Sequence, residues 1–180
     1  MLTRYNYHLY TRNFAQLLET LQRSPAEKSR GETSAPISKE YLLATVYALL
    51  KDQPKAQANF EEARLKAEAA VRESPEDGPR HALLGLVYAG LGRCAEAAAE
   101  GDRAVQLLPE TKDAFDGPIL AVSQARIAVA CGDHATALNI LERSLRIPAG
   151  ITVAELQRDP TWDPLRNDPG FQRLISSGRG

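Results

Sequence analysis

Apolar positions in this chain recur three and four residues apart, the spacing of helices that bury one face. From about residue 38 to residue 147 they form three blocks, each an apolar helix, a very short turn and a second, amphipathic helix. The turns are Lys51-Asp52-Gln53, Leu91-Gly92-Arg93 and Cys131-Gly132-Asp133, and turns this short force antiparallel neighbours. The blocks share a register. The run from Leu84 to Tyr88 lies 41 residues after Leu43–Tyr47 and 40 residues before Gln124–Ala128. Small residues then fall at equivalent places: Ala44, Gly85 and Ala125; Ala56, Ala97 and Ala137; Ala63, Ala104 and Ser144. Helices that cross closely need a missing side chain at the contact, so Gly85 and Ala97, on either side of Gly92, are predicted to meet. Gly92 and Gly132 stand where the first helix of a pair must end in a left-handed residue.

The same pattern sets the boundaries within a single domain, 1–180. Residues 2–22 read as a degenerate helix pair broken at Arg12-Asn13, with Phe14, Leu17, Leu18 and Leu21 on one face. Residues 23–37 are polar and rich in Ser, Glu, Lys and Pro, predicted as a mobile loop. Repeats follow at 38–75, 78–109 and 114–147. The first repeat has 12 residues from Ala63 to Pro75, where the second has five from Ala104 to Pro109. The excess of two helical turns predicts one long second helix, about Pro54 to Glu73. Residues 150–177 change character. Asp159-Pro160, Asp163-Pro164 and Asp168-Pro169 each pair an N-cap residue with a first-turn proline, and Thr152 with Glu155 fits a capping box. A short-helix cap is predicted, with Trp162 and Phe171 covering the apolar end of the last repeat.

Composition supports the helical reading, with 27 Ala and 23 Leu. There are 22 Lys and Arg against 23 Asp and Glu, and a net charge of −1 argues against binding nucleic acid or an acidic membrane. No apolar run is long enough to span a bilayer, and no signal peptide is evident at the start. Cys94 and Cys131 are too few for a disulfide scaffold, so they are predicted to be buried free thiols in a reducing, cytoplasmic setting.

Readings that assign chemistry have weak support. Cys94, Cys131 and His134 are close in repeat register but lack the paired spacing of a zinc site. A cysteine nucleophile would need an orienting carboxylate and an oxyanion hole, and no phosphate-cradling glycine loop exists. Asp159, Asp163 and Asp168 lack the alternating donors of a calcium loop, and helix capping explains all three. Tyr5, Tyr7 and Tyr10 could stack bases, but only Arg4 and Arg12 flank them, so packing at the chain's end is the preferred reading. No catalytic, cofactor-binding or metal-binding residue is expected.

The block from Pro79 to Pro109 resembles a tetratricopeptide repeat: Leu84, Gly85, Tyr88, Gly92, Glu96, Ala97, Ala104 and Pro109 fall at that family's signature spacing. His81 stands where the family has Trp, and Gly101 where it has an aromatic. The first block keeps Leu43, Tyr47, Ala56, Phe60 and Ala63, and the third keeps Ala125, Gly132, Asp133, Ala137, Leu141 and Leu145. The run from Leu156 to Phe171 resembles the closing segment of such regions in bacterial signalling and regulatory proteins. Those regions often follow a kinase, cyclase or DNA-binding domain, so the chain is expected to be a fragment or a stand-alone relative. The resemblance implies an all-α, right-handed superhelical solenoid of antiparallel helix pairs with a short-helix C-terminal cap. It also implies a non-catalytic scaffold that binds a protein or peptide in its concave groove. Carried over by position, the groove residues are Tyr41, Thr45, Ala48 and Leu49; Ala82, Leu86, Ala89 and Gly90; and Val122, Arg126, Val129 and Ala130. Arg126 is the one cation among them, suited to a carboxylate. The alternatives are a sensor segment that binds a small ligand and an oligomerisation module.

Overall fold

The structure is a computed structural model that describes residues 2–24, 29–30 and 36–177. Its helices are α1 (Leu2–Tyr10), α2 (Phe14–Arg23), α3 (Lys39–Leu49), α4 (Gln53–Glu73), α5 (Gly78–Gly90), α6 (Cys94–Leu107), α7 (Asp116–Ala130), α8 (His134–Ser144), α9 (Val153–Arg158) and α10 (Pro169–Ser177), with a 3-10 helix at Pro160–Leu165. The long second helix is present: α4 has 21 residues and an Asp52 N-cap. Within the segment read as a loop, Ser29–Arg30 pairs antiparallel with Pro36–Ile37. The remainder of that segment, 25–28 and 31–35, lies outside the described residues.

From α1 to α8 each helix packs on its chain neighbours, α3 on α4, α5 on α6, α7 on α8, with α4 on α5 and α6 on α7 joining successive pairs. The first helices also touch one another, α3 with α5 and α5 with α7. Gly92 and Gly132 take φ of +74° and +78° at the helix ends, and Lys51 takes +63° at the equivalent turn, where no glycine is available.

Gly85 lies in the crossing that the sequence anticipates. A Cβ there would sit 3.0 Å from the Ala97 carbonyl oxygen on α6 and 2.7 Å from Ile127 Cδ1 on α7. Three helices therefore share one gap. Gly85→Leu is expected to lower stability by about 1–3 kcal/mol through overpacking. Gly85→Ala should also lose stability, because the Ala97 contact is backbone and cannot swing away. A thermal melt of the leucine variant matching the parent would refute the crossing. His81 is buried, and its ring bridges Glu100 Oε2 on α6 at 2.5 Å and the Pro75 carbonyl at 2.9 Å.

Cys94 and Cys131 are not free thiols. They form a disulfide with Cα atoms 5.5 Å apart, joining the first residue of α6 to the residue that ends α7. Repeat register explains it. Cys131 is the counterpart of Leu91, three residues before Cys94, so stacking one repeat on the next brings the two turns together. The expectation of a reducing compartment rested on free thiols and loses its basis.

The cap also departs from the pattern at one point. Asp159 accepts from Thr161 N and starts the 3-10 helix, and Asp168 accepts from Gly170 N and Phe171 N at the start of α10. Asp163 starts no helix. Pro164 lies inside the 3-10 helix, and the Asp163 carboxylate is taken by two arginines. Among the described residues no helix is long and apolar enough to cross a membrane.

Candidate functional site

The row of first helices is where the resemblance implies a binding groove, and the protein itself occupies part of it. Trp162, Leu156, Leu165 and Phe171 of the cap are fully buried in one cluster with Val122 and Val129 of α7. The 3-10 helix lies against α7, with the Arg126 guanidinium 5.9 Å from the Trp162 ring centroid and 3.4 Å from Asp159 Oδ2. Fully burying four large apolar side chains is worth about 1.5–3 kcal/mol each, far more than a removable plug would carry. The cap is therefore part of the core.

The cap also reaches the other end of the chain. Arg12, in the turn between α1 and α2, grips Asp163 in a two-pronged ion pair, Nη1 to Oδ2 at 2.7 Å and Nη2 to Oδ1 at 2.6 Å. Arg166 Nε adds a third bond to Asp163 at 2.6 Å. The hydrogen bonds from Arg12 hold the Asp163 carboxyl below the usual range, and partial burial opposes them. Stability from this pair is present above the unfolded carboxyl value, about 4, and is lost as pH falls through the lower folded value. Both side chains are over a third exposed, so the pair is worth about 0.2–1 kcal/mol. Arg12→Ala is expected to lower the melting temperature slightly at pH 7 and by less at pH 3. An equal loss at both would remove the ion pair as the cause.

Two tyrosines face the same interior. Tyr5 of α1 is buried with Leu42 and Val46, and Tyr41 of α3 packs edge-on to Phe60 with ring centroids 6.2 Å apart. Burial raises both phenols above their ordinary value; Asp159 adds to the rise and Arg126 opposes it. The hydroxyls thus lie in the field of the Arg126–Asp159 pair. The Tyr5, Tyr7 and Tyr10 run forms no joint surface, since Tyr5 is in the core while Tyr7 is exposed.

The other groove residues divide by position. Ala82 packs with Ala104 and Leu120, and Ala89 with Ala67 and Ala97, all buried. Gly90 points toward α4, where an added Cβ would meet the Phe60 ring at 2.4 Å. Thr45, Ala48, Leu49 and Leu86 are half-buried, and Ala130 is exposed. Thr45 Oγ1 donates to the Tyr41 carbonyl at 2.9 Å. The structure thus gathers Val122, Arg126 and Val129 under the cap, while in the α3–α5 part Thr45, Ala48, Leu49 and Leu86 stay half-buried, Leu49 against the cluster of α1 and α2.

Two depressions lie nearby. One of about 250 Å³ opens beside Arg126, bounded by Ile119, Val122, Gly150 and Glu155. A wider cleft of about 720 Å³ separates α8 from α10, where Arg146 already pairs with Glu142 at 2.7 Å. Cys94 and Cys131 are bonded to each other and so offer no thiolates to a metal. Among the described residues no cluster of three His, Cys, Asp or Glu side chains could hold a metal ion.

No protein family, curated protein or solved structure was found to match this chain.

Sequence reasoning missed the disulfide and the Arg12–Asp163 pair. The first had a signal in the repeat register. The second joins residues 151 positions apart, and no periodicity relates them.

Proposed function

We propose that the protein is a non-catalytic binding module of the tetratricopeptide type, a right-handed solenoid that holds a partner's peptide or helix against the α3–α5 stretch of its inner row. The observation that carries this reading is an asymmetry in stacking. The first helices α5 and α7 pack closely on each other and α3 touches α5, while α4, α6 and α8 make at most slight contacts among themselves. A stack that is closer on one side curves toward that side, which favours a concave face built of first helices. On it the half-buried Thr45, Ala48, Leu49 and Leu86 offer small or apolar groups that suit an apolar segment of a partner. Arg126, the carboxylate anchor that the resemblance suggests, is engaged by Asp159 and covered by Trp162.

The experiment compares the protein with Thr45→Arg and Leu86→Glu variants in capture from a cell extract. Loss of the captured protein with unchanged helical circular dichroism is the expected result. Capture undiminished in both variants would move the site elsewhere. The small-ligand alternative has the depression beside Arg126 in its favour, but about 250 Å³ is below the usual size of a ligand pocket. The oligomerisation alternative calls for a bare apolar end, and Trp162 and Phe171 fill that place.

A further inference from the structure

The disulfide joins two helix ends of opposite polarity. Cys94 is the first residue of α6, a helix of 14 residues whose N-cap, Arg93, supplies no side-chain hydrogen bond to the first-turn amides. Those amides and the helix dipole favour negative charge on the Cys94 sulfur. Cys131 ends α7, the negative pole of a 15-residue helix, where a thiolate is disfavoured. The charges nearby do not reverse this. Arg93 is paired with Glu96 and stacks on Tyr88, so the two charges offset each other near Cys94. Asp133, two residues beyond Cys131, adds negative charge on that side. Both cysteines are half-buried, Cys131 against the cluster around Ile127, and they stand between turns whose Gly92, Gly132 and Asp133 are exposed, so the bond lies near the surface of the α6–α7 seam.

We propose that Cys94–Cys131 is an exchangeable redox pair with an assigned direction: an external dithiol attacks Cys131, and Cys94 leaves. The attacking thiolate forms a bond to Cys131 Sγ as the Sγ–Sγ bond breaks and its electron pair goes to Cys94. The dithiol's second thiolate then displaces Cys131, which takes up a proton. The protein gains two electrons and the dithiol becomes a disulfide. The better leaving group is the sulfur with the lower thiol pKa, which is why the attack falls on Cys131. Reduction removes a covalent tie between α6 and α7, so the pair sets how firmly the third helix pair is held to the fourth. This inference does not depend on the binding function proposed above.

The folded, oxidised protein is treated with reduced glutathione in the absence of denaturant, trapped with iodoacetamide and mapped by mass spectrometry. The expected product carries glutathione on Cys131 and the alkyl group on Cys94. In separate single-cysteine variants, Cys131→Ser and Cys94→Ser, the remaining Cys94 is expected to alkylate roughly tenfold faster near pH 6.5 than the remaining Cys131. Glutathione chiefly on Cys94, equal alkylation rates, or thiols released only after unfolding in urea would each overturn the proposal.

Discussion

Trp162→Ala is expected to lower stability by about 3–5 kcal/mol, the usual cost of deleting a large buried aromatic. The indole is fully buried against α7, among Val122, Val129, Leu156 and Leu165. For a chain of this length each kcal/mol moves the melting temperature by about 2–4 °C, so the midpoint should fall by roughly 10 °C or more. The phenylalanine variant separates packing from polarity. Trp162 Nε1 is buried without a hydrogen-bond partner among the described residues. Trp162→Phe therefore removes an unsatisfied donor while keeping most of the apolar area, and its loss should be a small fraction of the alanine variant's. Melting followed by circular dichroism gives both values. An alanine variant that melts within a degree or two of the parent would show that the cap is not part of the core.

Breaking the disulfide is expected to have a comparable effect. The closed loop spans 37 residues, which in the chain-entropy account corresponds to about 3–4 kcal/mol. The Cys94→Ser, Cys131→Ser double variant should melt about 10 °C below the oxidised parent and near the reduced parent. Identical melting of oxidised and reduced protein would mean that the α6–α7 seam holds without the bond. The same variant should leave the α3–α5 stretch in place, because neither cysteine lies on those helices' inner positions.

The helices themselves were readable from local signals. Apolar spacing of three and four and the short polar or glycine-bearing turns between helices act within a few residues, and these give α3 through α8 and the break at Arg12. The packing of Gly85 was readable because repetition made three small residues equivalent. The groove was less legible. Position within a first helix says which way a side chain faces, but not what else covers that face. Val122 and Val129 have the right direction and are covered by residues some 30 to 40 positions later in the chain. Asp163 was misread for a related reason: an Asp-Pro pair looks the same whether the carboxylate caps a helix or waits for an arginine from the far end of the chain. Sulfur pairing was hidden by composition, since two cysteines in an alanine-rich chain suggest solitary thiols until the stacked turns are placed side by side.

A linear stack of helix pairs has two loose ends, and fraying can begin at either. Here the turn after α1 is fastened to the cap that follows α8, so the first and last members of the array restrain each other. Stretched between anchors at its two termini, the molecule would have to part the Arg12–Asp163 fork before the helix pairs between those two residues bear the load. Such a tether yields early and can re-form on relaxation, while the disulfide between α6 and α7 limits how far the interior can then extend.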